Sequence, residues 1–166
     1  AAYGDYLKGN ASEEPAAIAM PFTQIDPSLA PEGKHVLFVW GQYYPYGLRG
    51  GAQWDEERTR AEARKLLGVV DRFAPGTSDA LRDWYIQTPP EIERKHNMPN
   101  ANVMHVEMTL DQMFLFRPLP ELAQYETPLR GLYMANAGTH PGGGIFGAPG
   151  YNCSHVVQRS LRRKRW

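Results

Sequence analysis

The sequence has 166 residues, 42% of them hydrophobic and 22% charged, and a formal net charge of zero. That length and apolar content suit one globular domain with a sizeable core, and the balanced charge excludes a bulk electrostatic pull toward nucleic acid. No run approaches the roughly 20 apolar residues of a membrane span. The opening AAYGDYLKGN has neither the basic nor the apolar region of a signal peptide. Its lack of Met reads as processing or as a piece of a longer chain. The single cysteine, Cys153, can form no internal disulfide. It reads as a buried small hydrophobe rather than a catalytic thiol, in a reducing compartment. With 16 Gly and 14 Pro the fold is expected to be rich in turns.

Residues 16–24 (AAIAMPFTQ) are apolar with one Pro and suit an edge strand. Turn chemistry fills IDPSLAPEGK, residues 25–34. The β-branched and aromatic run HVLFVWGQYYP, residues 35–45, predicts a strand. Both of its faces are apolar, so a central strand covered on each side is expected. Residues 55–73 are the clearest helix: Ala63, Leu66, Leu67, Val70 and Phe73 share a face at helical spacing, and Asp55, Glu56 and Glu57 suit its N-terminal dipole. Ala74-Pro75-Gly76 stops it. A short helical turn over 78–83, a strand over 84–88 and a helix over 91–96 opened by Pro89-Pro90 follow. Residues 103–108 and 113–116 read as short extended pieces around the turn TLDQ, and RPLPELAQYETP as loop. An apolar strand over 131–137 (GLYMANA) leads into a Gly-rich turn and a final helix over 148–164.

The Gly-rich run is the most informative segment. Gly142, Gly144 and Gly147 satisfy G-x-G-x-x-G between a predicted strand and a predicted helix. Glycines allow close backbone approach, and free N–H groups at a helix start bind negative groups. No Asp or Glu follows Glu126 and no second strand follows the helix, so this is no complete dinucleotide unit. No Gly-Lys-Ser/Thr follows either, which excludes a Walker loop. From spacing alone, two readings stand side by side: an anion cradle, and a plain Gly-rich loop that packs a helix on a sheet. A lipase-type oxyanion turn is a weaker third reading, because the chain has no G-x-S-x-G elbow.

The run GLYMANAGTHPGGGIFGAPGYN resembles the C-terminal signature of FAD-dependent oxidoreductases of the phytoene-desaturase type and their pyridine-nucleotide-disulfide-oxidoreductase-domain relatives. IDPSLAPEGKHVLFVWGQYYPY and NVMHVEMTLDQMFLFRPLP resemble further motifs of the same family, in collinear order along nearly the whole chain. Three departures stand out: Asn136 where the pattern has Gly, Tyr151 where it has Arg, and Cys153-Ser154 in place of Ala-Ala. Asn136 suits an unusual φ, and Tyr151 removes a positive charge near the expected flavin.

The resemblance implies an incomplete FAD-binding, Rossmann-like fold. Residues 1–126 would be part of a substrate-side domain, and 127–166 the C-terminal strand, turn and helix of the FAD domain. It implies cofactor contact by Gly138, Thr139, His140, Pro141, Gly142, Gly143, Gly144, Gly147 and Ala148. It also implies a missing N-terminal nucleotide-binding half or subunit as partner, and a small-molecule organic substrate from whose carbon the flavin removes hydride. The chain alone would not hold FAD well. A non-catalytic subunit or scaffold that completes a partner's flavin site is the alternative.

The remaining candidates have plainer readings. None of the five histidines forms an H-x-x-x-H or H-E-x-x-H pair, so no metal is expected. His105 and Glu107 would share one face of a strand, with a structural role. Trp40, Tyr43, Tyr44 and Tyr46 suit aromatic core packing, and Trp40 and Tyr43 are also candidates to line a substrate pocket. Asp111 and Gln112 read as a turn or cap. For Arg117, a carboxylate partner and a place facing the cofactor both stay open. Arg159, Arg162, Arg163, Lys164 and Arg165 suit the C-terminal end of a helix dipole. The expected whole is an α+β fold with a mixed or antiparallel sheet and one long helix. It would be cytoplasmic or peripheral to a membrane, without a nucleic-acid partner and able to form an oligomer.

Overall fold

The computed structural model describes residues 2–163. Lys164 and Arg165 of the basic tail, and the side chain of Arg163, lie outside the described residues. The content is mixed α and β, with a two-stranded antiparallel sheet and several helices. The chain divides into two units, Ala1–Lys95 and His96–Trp166. The expected boundary after residue 126 concerned membership of a larger fold, which is a separate matter from this division.

The first unit holds most of the regular structure. Helix α1 (Ala2–Leu7) precedes strand β1 (Ala16–Pro21), which pairs antiparallel with β2 (Leu37–Gln42). Ile18 stands opposite Trp40, and Ala17 opposite Gly41. Between the strands, the Asp26 carboxylate accepts from the amide and hydroxyl of Ser28 and so caps a one-turn helix at Pro27–Leu29. The Thr23 hydroxyl lies 3.1 Å from His35 Nδ1 and accepts from the Val36 amide, which closes the connection. Helix α2 (Glu56–Phe73) begins where the sequence predicts: the Asp55 carboxylate accepts from the Arg58 amide at 2.8 Å. α2 packs on the sheet over Gly41, where a Cβ would lie only 2.8 Å from Leu66 Cδ1 and 2.6 Å from the Tyr44 ring. Helices α3 (Thr77–Ala80) and α4 (Pro89–His96) follow.

Three expectations for this unit need correction. β2 is not covered on both faces. Phe38 is 46% exposed and Trp40 42%, and their cross-strand neighbour Ile18 is 41% exposed. The small side chains Ala17, Ala19 and Gly41 admit α2 on one side, while on the other the Phe22 ring beside Phe38 leaves that side chain and Trp40 more than two-fifths exposed. Phe73 is 86% exposed although it continues the apolar stripe. An 18-residue helix runs about 27 Å, whereas six-residue strands run about 20 Å, so the last turn of α2 overshoots the sheet. Residues 84–88 form no strand, because no sheet edge of this unit accepts them.

The second unit is mostly turns. Single 3-10 turns occur at Pro99–Ala101, Leu110–Gln112, Phe114–Phe116 and Pro120–Leu122, and helix α5 (Ala148–Arg163) ends the described chain. Neither 103–108 nor 113–116 is extended strand, and exposed His105 and Glu107 share no strand face. Residues 131–137 are no strand either: the only pairing there among the described residues is one bridge, Glu126 to Tyr133. An apolar extended run becomes a strand only when a neighbouring edge takes up its backbone groups.

Candidate functional site

The Gly-rich turn is built on one fully buried cation. Arg117 has no exposed surface, and its guanidinium donates only to backbone carbonyls. Nη2 reaches Met104 at 2.8 Å, Val106 at 3.3 Å and Ala137 at 2.7 Å. Nη1 reaches Glu107 at 3.0 Å, and Val106 and Gln112 at 3.3 Å each. So Arg117 neither pairs with a carboxylate among the described residues nor reaches the surface of the turn. Burial pushes its ionisation below the ordinary arginine value, yet a guanidinium keeps its proton in proteins. This clasp also explains the lost strands. A strand sends successive carbonyls to alternate sides, whereas those of 104–112 converge on one group.

The turn itself is anchored at its base and open at its tip. Asn136 does not take a left-handed backbone, as its place in the pattern suggested. It acts through its side chain: Oδ1 accepts from the Gly138 amide at 2.7 Å, and its carbonyl accepts from the amide and hydroxyl of Thr139. Thr139 is fully buried. The Gly142 amide donates back to Thr139 at 2.7 Å. Gly142 has φ near +110°, and a Cβ there would meet Met108 at 3.3 Å and Arg117 Nε at 3.5 Å. At Gly143 a Cβ would meet Met104 Sδ at 3.1 Å and Ala137 at 3.2 Å. From Gly143 to Gly147, by contrast, no backbone amide donates to another group among the described residues. Gly144 and Gly147 are exposed, and Ile145 and Phe146 stand in solvent at 108% and 55%.

Tyr125 joins this turn to α5. Its buried hydroxyl donates to the His140 carbonyl at 2.7 Å and accepts from Asn152 Nδ2 at 2.9 Å. The His140 ring leans on Phe114 with centroids 5.9 Å apart, and its Nδ1 is buried without a partner. Pro141 and Ala148 are half-buried. The first turn of α5 carries no acidic residue, which leaves its positive dipole end uncompensated. Cys153 is buried in α5, where burial raises its thiol above the ordinary 9.0.

The structure therefore gathers all nine turn candidates in the second unit, while Trp40 and Tyr43 belong to the first. Tyr43 takes a left-handed backbone, φ 63°, and packs its ring against Tyr3 and Tyr6 of α1. Sequence reading missed Tyr125 and Asn152 and left Arg117 undecided. Only Arg117 carried a signal, as a lone charge inside the apolar, Pro-rich run FLFRPLP. The described residues contain no group of three or more His, Cys, Asp or Glu able to hold a metal ion, and no helix long and apolar enough to cross a membrane.

The amides of 143–147 and the start of α5 fit the negative part of a cofactor such as FAD. The glycines nearer the base are accounted for by packing within the chain.

No family model matches the chain, and no solved structure matches it. Among curated proteins, pyridine nucleotide-disulfide oxidoreductase domain-containing protein 2 of Mus musculus is 39% identical over 161 residues, 97% of this chain and 28% of that protein. A phytoene desaturase (lycopene-forming) of a Paracoccus species is 31% identical over 125 residues, 75% of this chain and 24% of that protein. A phytoene desaturase (neurosporene-forming) of Rhodobacter capsulatus is 26% identical over 140 residues, 84% of this chain and 26% of that protein. The chain thus spans about a quarter of the length of the curated relatives it matches. Similarity along nearly its whole length places the chain in the family of pyridine nucleotide-disulfide oxidoreductase domain-containing proteins and phytoene desaturases.

Proposed function

We propose that the chain is the C-terminal part of an FAD-dependent oxidoreductase that removes hydride from a carbon of an organic substrate. The observation that carries this reading is the run of unpartnered amides from Gly143 to Gly147 leading into α5. Backbone donors at a helix start, with no acidic side chain nearby, suit an anionic group. Gly143, Gly144, Gly147 and Ala148 would face the cofactor. Gly138, Thr139 and Gly142 would hold the turn from behind, and His140 and Pro141 would shape its approach. When bound, FAD supplies the hydride acceptor for forming a C=C or C=N bond, and the protein orients it.

This chain would furnish one wall of the site. A ribose-binding carboxylate is expected in a nucleotide-binding half. That half, on the same polypeptide or a separate subunit, is the proposed partner. Trp40 and Tyr43, each more than two-fifths exposed, would offer aromatic surface to an apolar substrate. The names of the two bacterial relatives make phytoene, a long polyene, the first substrate to try.

The test is to purify the chain alone and with its candidate nucleotide-binding half, then scan for flavin absorbance. Flavin is expected in the combined sample. Its absence from both would sink the reading.

A further inference from the structure

Arg117 is more than the turn needs for packing. A buried charge is costly to take out of water. Here the cation is fully buried, and only carbonyl oxygens neutralise it among the described residues. Those carbonyls carry partial charge, so a full positive charge is left in the body of the unit. Its position is informative. Nε has no hydrogen-bond partner and lies 3.5 Å from where a Cβ on Gly142 would sit, so the backbone of the turn rests against the guanidinium. One residue further on, the free amides begin. The amides, the start of α5 and this cation all bear positive charge on one short segment.

We infer that Arg117 is a positioning residue for the flavin cofactor: it holds the turn in its open form and adds a fixed positive charge behind the amides that receive the cofactor's anionic part. The inference rests on the flavin reading given above. The clasp binds Ala137, at the base of the turn, to the 104–112 loop through both terminal nitrogens, so the geometry is set before any ligand arrives. A preorganised site loses less on binding than one that must be ordered. Lysine would retain the charge but lacks the planar fork that spans several acceptors at once. Methionine removes both.

The test compares Arg117→Met and Arg117→Lys in the full flavoprotein. It measures the FAD dissociation constant at a temperature where circular dichroism shows each variant folded, and records the visible band shape of the bound flavin. FAD binding is expected to weaken about a hundredfold in Arg117→Met, with Arg117→Lys recovering about tenfold of that loss. The bands of any residual bound flavin should shift in Arg117→Met. A merely structural role would lower the melting temperature of both variants and leave the two dissociation constants equal, which overturns the inference. Equal dissociation constants and spectra in parent and Arg117→Met overturn it as well, and leave the flavin reading standing. A parent protein that holds no flavin removes the flavin reading and this inference together. Should Arg117→Met not fold, Gly142→Ala takes its place, because alanine is strained at φ +110° and its Cβ meets Met108 at 3.3 Å, which shifts the turn beside the guanidinium while keeping the charge. Unchanged FAD binding in that variant overturns the inference too.

Discussion

The two units are held together by different means. The first is built from repeating elements: an 18-residue helix lies on a two-stranded sheet, and small residues on the sheet let the helix approach. Its stability comes from apolar contact along periodic faces, and much apolar surface remains open, on the far face of β2 and at Phe73. The second unit has little regular structure before α5, yet it contains the two largest fully buried side chains among the described residues, Arg117 and Thr139. It is organised by side chains that bond to distant backbone. A segment that must leave some amides free cannot be stabilised by a regular hydrogen-bond ladder. It needs individual clasps at its base, and the open turn sits where those clasps are densest.

Breaking the Arg117 clasp should therefore cost more than disturbing the packing of the first unit. Arg117→Met orphans five carbonyls and is expected to lose about 3–5 kcal/mol, read by urea unfolding with a probe in the second unit. A loss below that of Gly41→Ala would reverse the comparison. Gly41→Ala puts a Cβ 2.6 Å from the Tyr44 ring and 2.8 Å from Leu66. The overpacking should cost about 1–3 kcal/mol and lift α2 from the sheet, visible in the thermal melt of the first unit. Tyr125→Phe removes the bridge between the His140 carbonyl and Asn152. About 1–2 kcal/mol should be lost, with faster amide exchange in α5's first turns. Asp55→Ala deletes one helix cap and should cost about 1 kcal/mol, confined to the first unit. The smallest effect concerns Cys153. Its thiol is raised above 9.0 by burial, so folding favours the protonated form. That contribution is complete below the ordinary thiol value and fades only as pH rises through the raised one. Alkylation by iodoacetamide at pH 8 should accordingly be slow in the folded protein and fast in urea.

Much of the first unit was legible because its signals are local. The acidic start at Asp55, the apolar stripe of α2 and the β-branched run before Gln42 each act within one or two turns of chain. The same holds for α5 and for the location of the Gly-rich turn between residues 138 and 148. Faces that depend on what lies against them were not legible. Nothing in the composition of β2 tells whether a second layer covers it, or that α2 outruns the strands at Phe73.

The sequence by itself determined where α2 and α5 begin, where the Gly-rich turn lies, and which family its motifs belong to, because periodicity and glycine placement are short-range properties. Tertiary structure alone decided how the Gly-rich turn is held. Arg117, between Phe116 and a proline, is joined to Ala137 twenty positions away and to a loop whose residues read as strand. A guanidinium with several donors in one plane gathers carbonyls from wherever the chain passes, and no local pattern records which carbonyls those are.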